Sequence, residues 1–487
     1  MVAVLGLAVP LTAIGGTTPA SSAGSAFPLD PTFAAAQPTP GLLRLQLDGL
    51  PALASHVRMM GDGSAIVALG GVSPQGFGDG REAVAKLRPD GTPDTSFNPG
   101  GAVPGVRDLP GGSTVGSIVD IDVDSHGRII VADNDRVTRL LGDGTPDPTF
   151  VATCINPCVP GTGMDPPQAP TGTVFVTSRV YDAVVLSDDS VVVESSTEFN
   201  TPLVMVVTKL TSTGNRDLTF NAANQTPGVL EINDAAPARV VPQPDGTLIL
   251  VVLSTRPHLH RVTAGGLLDL SYGGGTGVVL PPVTTAGEQT LDAGTDGPDH
   301  IVLEVAPAFP AGPPALVRIG PDGSTDTTFG TAGRVELSDL GAEFSARLFV
   351  QPDHRIIVEI RQPSHARALA RLTADGLLDA SFNPASSTPG WLLLDPAPDP
   401  DHNHDVIDIA AVAGGKLLAV GDRPFVPPNV PADDLAEIYR FNGFAGVPQP
   451  IPHYSMSSPP PIIPTPIARS IAGAASATRP AKRLGLP

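Results

Sequence analysis

Short apolar runs, each cut off by a turn of Gly, Pro or Asp, fill most of this chain. Residues 247–252 follow Gln243-Pro244-Asp245-Gly246, and residues 355–360 follow Gln351-Pro352-Asp353-His354. Equivalent turn-and-run pairs begin near Gly61, Asp124, Ser187, Asp296 and Ala413, making seven. Runs this short, bounded by turn residues, predict strands.

A second pattern falls between successive copies of the first. Lys86-Leu87-Arg88-Pro89-Asp90-Gly91-Thr92-Pro93-Asp94-Thr95-Ser96-Phe97 matches residues 318–329, and the pattern returns at 139–150, 209–220, 261–272 and 371–382. A basic residue stands eight positions before an Asp and eleven before an aromatic ring in every copy. A Gly soon after the ring opens another apolar run, read as the first strand of the next unit, as at Gly228-Val229-Leu230 and Gly390-Trp391-Leu392. Each unit therefore offers four short strands. One such sheet cannot bury both of its faces alone, so the repeats predict propeller blades.

The two ends of the repeat region set the blade count. Leu29-Asp30-Pro31-Thr32-Phe33 is the second half of the motif with no basic residue before it, and Ile438-Tyr439-Arg440-Phe441 is the first half with no Asp after it. Joined, they make a seventh copy. The predicted fold is all-β: a seven-bladed propeller of four-stranded antiparallel blades whose ring is closed by the N- and C-terminal segments, leaving no open sheet edge. Arg440 should then meet Asp30 as Arg139 meets Asp147.

These motifs resemble the delta-60 repeat family, whose units read like QPDGKIVVAG…ARLNADGSLDTSFG. The copies that match best are residues 243–252 and 371–382, and the resemblance covers residues 27–444. The blade spanning 147–209 departs most, through a long insertion. The resemblance implies an exported β-propeller and no particular chemistry.

The recurring Lys/Arg and Asp positions read as a structural ion pair bracketing a turn, and the ring as filler between blades. A residue needed once for chemistry does not appear in every blade. Function is expected elsewhere. The Pro-Asp-Gly turns and the Asp-x-x-aromatic links emerge on one face, and the variable loops, such as 73–81, 306–314, 395–404 and 422–434, on the other. Recognition tends to sit on variable loops held by a rigid scaffold. Seven positions before the Gly slot of each turn stand His56, Asp120, Asp182, Arg239, Asp292, Arg347 and Asp408, each followed by an apolar residue. If the strand that carries them runs beside the central channel, they form a mostly acidic ring at its mouth toward the variable face. They are candidate ligand-binding residues; the plainer alternative is salt bridging between blades.

Asp401-His402-Asn403-His404-Asp405 places two imidazoles on alternate positions, which with Asp401 or Asp405 could hold a divalent cation. His258 and His260 have the same spacing, and solvated loop residues are the plainer reading of both pairs. The run Asp120-x-Asp122-x-Asp124 lacks the Gly and distal Glu of a calcium loop. No cofactor is required by any motif. Cys154 and Cys158 are the two cysteines; in an exported protein they read as a local disulfide, with free thiols the alternative.

Composition narrows the partners. With 53 Gly, 55 Pro and 41% hydrophobic residues in 487, the excess of turn formers coexists with ample core. A net charge of −20 disfavours nucleic acid. The first 26 residues read as a signal peptide: 2–14 is uncharged, too short to span a bilayer, and followed by small residues, although no Lys or Arg precedes Arg44. Residues 445–487 are rich in Pro, Ala and Ser, carry Arg469, Arg479, Lys482 and Arg483 and no acid, and read as a disordered tail. The expectation is a monomer, secreted or at the cell envelope, with no transmembrane segment in its mature form. Gly-x-Ser-x-Gly, His-Glu-x-x-His and phosphate-loop signatures are absent from the sequence. The leading functional expectation is a non-catalytic scaffold that binds an envelope, glycan or protein partner. The alternative is a secreted polysaccharide hydrolase or lyase with acids and His at the channel mouth.

Overall fold

The computed structural model describes residues 29–442 apart from 46, 48–51, 73–77, 110–117, 151–170, 177, 197–203, 235, 255, 282–286, 298–299, 308–312, 343, 362–366, 385–387, 395–404, 413–414 and 423–435. The expected signal peptide, the Cys154–Cys158 pair, the tail, and Asp401, His402 and His404 lie outside the described residues.

The strand β1 (Leu42–Leu45) precedes six antiparallel meanders of four strands each. The first blade contains β2 (Ala52–Met59), β3 (Ala65–Val72), β4 (Gly78–Leu87) and β5 (Val106–Leu109). The second contains β6 (Asp120–Val123), β7 (Ile129–Asp133), β8 (Arg136–Leu140) and β9 (Thr173–Phe175). The third contains β10 (Arg179–Val185), β11 (Val191–Ser196), β12 (Met205–Leu210) and β13 (Val229–Ile232). The fourth is built from β14 (Ala238–Pro242), β15 (Leu248–Val252), β16 (His258–Val262) and β17 (Val278–Val279). The fifth has β18 (Glu288–Asp296), β19 (His300–Pro307), β20 (Ala315–Ile319) and β21 (Arg334–Glu336). The sixth has β22 (Phe344–Val350), β23 (Ile356–Arg361), β24 (Arg367–Leu372) and β25 (Trp391–Leu393). In the seventh, β26 (Asp405–Val412), β27 (Lys416–Asp422) and β28 (Ala436–Phe441) are joined by β1 as the outer strand. The protein is a seven-bladed β-propeller with almost no helix.

The first strand of every sheet touches the first strand of both neighbouring sheets, so these seven surround the axis. The run after each aromatic, taken from the sequence as opening a unit, instead ends the preceding sheet as its outer strand. It is carried there because the Asp-x-x-aromatic link turns the chain back along the third strand.

That link also builds the seams. Within a blade, each basic residue meets its Asp: Arg139 and Asp147 at 2.9 Å, Lys209 and Asp217 at 3.2 Å, Arg371 and Asp379 at 2.8 Å. The Asp also caps its own turn, accepting from the backbone N–H and hydroxyl of the residue two positions on, as Asp147 does from Thr149. That residue is Ser or Thr in all seven copies. The guanidinium lies over the ring, 4.5 Å for Arg139 on Phe150 and 4.7 Å for Arg440 on Phe33. The ring then slides beneath the Asp-Gly turn of the next blade. A Cβ at Gly144, whose φ is +81°, would lie 2.9 Å from the Phe97 ring, so this turn admits only glycine for two separate reasons. The residue after the ring completes the seam, as Asn98 N–H donates to the Asp143 carbonyl at 2.6 Å.

Apolar side chains between blades form the core. Ile130, Val137, Phe150 and Val174 of the second blade pack with Val180, Val185, Val191 and Leu210 of the third. Each sheet thus buries its two faces on two neighbours, each large apolar side chain contributing roughly 2 kcal/mol.

Closure takes the form that the split motif implies. Leu42 to Leu45 pair with Tyr439 to Ala436, and Arg440 Nε lies 2.7 Å from Asp30 Oδ2. Lys416 shares that oxygen, and Arg440 donates to the Pro89 carbonyl of the first blade. Burial alone would raise the Asp30 carboxyl, but the bonds from Lys416 and Thr32 and the Arg440 charge offset this and hold it well below the ordinary carboxylate range.

The equivalent Asp94, Asp147, Asp217, Asp269, Asp326 and Asp379 are also held below their usual value. A depressed folded pKa gives stability that is present above the unfolded value and lost as pH falls through the folded one. Asp30→Ala should cost about 3 kcal/mol at neutral pH, since it leaves a buried guanidinium unpaired. The deficit should shrink in thermal melts as pH falls below about 4, where the carboxyl of the unfolded chain takes up a proton that the folded one still resists. A deficit independent of pH would contradict this.

Candidate functional site

The two faces of the ring differ in what they can do. One carries the seven short turns and the Asp-x-Ser/Thr-aromatic links, all committed to seams. At the opposite face the second strands end and the third begin, with Asn134-Asp135 alone between them in the second blade and 13 residues between Asp422 and Ala436 in the seventh. The links from outer strands to the next inner strands emerge there as well.

The seven polar positions lie on the inner strands, beside the axis, but deeper than the channel mouth. His56, Asp182, Asp292, Arg347 and Asp408 are mid-strand, because their strands start earlier than the polar residue suggests; Asp120 and Arg239 stand at or near the strand start. In those five strands the register shifts directly before the polar residue, between Ala54 and His56 or between Val180 and Asp182, for example. A bulge of one residue re-aims the side chain that follows it.

The carboxylates are thereby turned onto the seams between inner strands. Asp182 Oδ1 accepts the N–H of Ala183, and Oδ2 accepts that of Val240 in the next blade at 2.6 Å. Asp292 does the same for Ala293 and for Leu348 in the next blade. Asp408 does so for Ile409 and for Val57 across the closing seam. Arg58, two positions beyond His56, donates to Asp408 at 2.6 Å and to Asp120 at 3.1 Å and so ties three blades together. Asp122 caps Val123 and reaches Val185 in the third blade. Arg239 lies 3.4 Å from Asp292. Burial, followed by the charges of Arg58, Arg347 and Arg239, holds the His56 ring well below its ordinary pKa and therefore neutral. Burial also raises Asp408, against the pull of Arg58.

Sequence reading missed the partners on the second strands. Glu194 pairs in register with Asp182, Glu304 with Asp292 and Glu359 with Arg347. Glu194 is fully buried, and burial together with the Asp182 charge pushes its carboxyl well above the usual range. Alternation within strands gives no hint of these pairs, because an acid inside an apolar run looks like an interruption.

Nearer the variable face, buried Glu82 of the first blade faces Asp133 of the second. Arg136 lies 2.7 Å from Asp133 and has Asp135 on its other side. Burial, then the Glu82 charge, pushes the Asp133 carboxyl up to about 8. Such a group stabilises the fold fully below its unfolded pKa and loses that contribution as pH rises through the folded value. Asp133→Asn should therefore melt above wild type at about pH 9 and lose its advantage near pH 4. Equal gains at both values would refute the carboxyl repulsion. Asp408→Ala should lower stability by about 3 kcal/mol at neutral pH, as it removes one of the two carboxylates that hold Arg58 and leaves two buried N–H groups without their acceptor. A change below about 1 kcal/mol in denaturant melts would contradict the bridging role.

At the third-to-fourth seam on the same face, Asp234 follows β13 and meets His258 and His260 of β16. Asp124, His126 and Asp189 cluster on the opposite, short-turn face. Asp405 opens β26. Among the described residues no helix is long and apolar enough to cross a membrane.

The family model described as "Domain of unknown function (DUF5122) beta-propeller" matches residues 66–97 and 362–382. No curated protein matches the chain. A virginiamycin B lyase from Staphylococcus aureus, solved with quinupristin, is similar at 11% identity and TM-score 0.44, covering 82% of this chain and 98% of that one. The polysaccharide lyase Uly1 is similar at 8% identity and TM-score 0.41, with 80% and 90% covered. A puromycin-hydrolysing peptidase from Mycobacterium tuberculosis has 14% identity and TM-score 0.44, with 81% and 54% covered. The family match supports a propeller repeat family for this chain.

Proposed function

We propose that this protein is a recognition scaffold without catalytic activity, working outside the cytoplasm, that binds an envelope, glycan or protein partner on its variable-loop face. One observation carries the reading: the division of labour between the faces. The short-turn face spends its recurring polar groups on ion pairs, caps and seams, so little there differs from blade to blade. The opposite face bears loops of unequal length and composition on a scaffold whose inner strands are locked together. Membership of the delta-60 repeats belongs to the same proposal, supported by residues 243–252 and 371–382.

The inner-strand carboxylates weigh against the alternative of a polysaccharide hydrolase or lyase. A carboxylate whose two oxygens already accept backbone N–H groups of two blades, as in Asp182, Asp292 and Asp408, is poorly placed to take a proton from a sugar.

The test uses the full chain on an array of bacterial envelope polysaccharides and envelope protein fractions. A variant with 423–435 shortened to Asn-Asp should lose binding, and Asp245→Asn on the short-turn face should keep it. Release of new reducing or unsaturated sugar ends would overturn the non-catalytic reading. Binding indifferent to the loop but abolished at the short turns would overturn the choice of face.

A further inference from the structure

The pair His258 and His260 departs from the repeat. Counting back three and one positions from each recurring basic residue gives Ala83 and Ala85, Arg136 and Thr138, Val206 and Thr208, Ala315 and Val317, Ala368 and Ala370, and Glu437 and Tyr439. Three of these pairs are small or branched aliphatics, and the fourth blade alone has two imidazoles. The reasoning that assigns the recurring Arg–Asp pairs to architecture therefore assigns this single occurrence to something else.

The geometry is specific. His258 Nε2 lies 2.5 Å from Asp234 Oδ2, and His260 Nε2 lies 3.1 Å from the same oxygen. The rings are set edge to face with centroids 5.4 Å apart, so both nitrogens converge on one point. His258 Nδ1 lies 2.8 Å from the Arg256 carbonyl. A carbonyl only accepts, so Nδ1 carries a proton, and a neutral His258 aims its lone pair at the carboxylate. Two lone pairs at that distance repel, so the pair needs a cation that both groups share, a proton on Nε2 or a metal ion bound by both. Hydrogen bonding of the far ring nitrogen to a carbonyl is also what fixes metal-bound histidines. His260 Nδ1 is buried with no hydrogen-bond partner, so nothing there prevents Nε2 from presenting its lone pair. The three side chains are only 8–16% exposed, sheltered yet open on one side.

We propose that Asp234, His258 and His260 bind one divalent transition-metal ion of the zinc class across the seam between the third and fourth blades. Two imidazoles and a carboxylate form a donor set that suits zinc, and three protein ligands would leave a fourth position for water or a further ligand. Calcium and magnesium, which take oxygen ligands, are excluded by the same donor set. The site stands independently of the recognition reading.

The experiment titrates the chelator-stripped full chain with Zn2+ by calorimetry at about pH 8.5, well above the ordinary imidazole pKa. The same titration is run on His260→Ala and on the milder His258→Gln. Wild type should bind one equivalent that is weakened about 100-fold or more in both variants, as removing a ligand costs at least as much as disturbing its support. Zinc should raise the wild-type melting temperature and leave that of His258→Gln unchanged. The affinity should fall as pH drops through the His258 pKa, because protons compete for Nε2. Zinc uptake or thermal stabilisation that is the same in wild type and His258→Gln would overturn the site, as would no uptake at all. Uptake lost only on changing His402 and His404 would also overturn it.

Discussion

The ring depends on one composite contact, repeated at every seam. A guanidinium or ammonium meets an Asp in its own blade. Where it is Arg it also lies over its own aromatic ring, and for Arg261 and Arg318 it reaches a carbonyl of the next blade's turn. None of these parts is large alone: a cation over a ring contributes about 1 kcal/mol, and an exposed ion pair less. Their effect comes from stacking in one place. The ring fills the gap that the glycine of the next turn leaves open, which shields the ion pair and fixes the angle between sheets. Apolar packing between blades then follows from that angle.

A second layer of polar bonding lies around the axis and has a different logic. There, backbone N–H groups at the seams between inner strands take their acceptors from side chains of the neighbouring blade. The carboxylates of Asp182, Asp292 and Asp408 supply acceptors for two blades at once. Arg58 balances part of the charge gathered there. Together these groups make the channel wall stiff, which is what loops on the face above require if they are to present a fixed surface.

Much of this architecture was legible in the sequence because its elements repeat. The blade count, the split motif and the Arg440–Asp30 contact followed from spacing alone. Which strand borders the channel was left open, but the recurrence of the polar slot in every blade was legible too. Its depth was not, since a bulge leaves no mark in the alternation of side chains and moves the strand's start. Nor was its bonding, since a carboxylate that accepts backbone N–H groups needs no matching residue elsewhere in the chain. The grouping of strands into sheets was misjudged by one because the link after the aromatic is as short as a hairpin, and sequence alone does not say on which side of it the blade ends. The constant Ser or Thr two positions after each Asp was present in all seven copies and is intelligible only once the cap is seen. Asp234 was invisible beside His258 and His260, because it arrives from another blade.

The seventh blade has a consequence for assembly. Six sheets draw all their strands from contiguous chain, so each can form from local contacts while synthesis or translocation proceeds. The last one needs β1 and β28, which are separated by nearly the whole repeat region, and loop closure over that span grows only with the logarithm of its length. Until Arg440 arrives, Asp30 and Lys416 are two charges without the geometry that unites them, and the outer strand of the final sheet has no edge to join. A partly made chain is therefore an open arc of finished blades with sticky ends. Completing the circle is one docking event, which covers the two faces still exposed at the ends of the row and makes a single cooperative body.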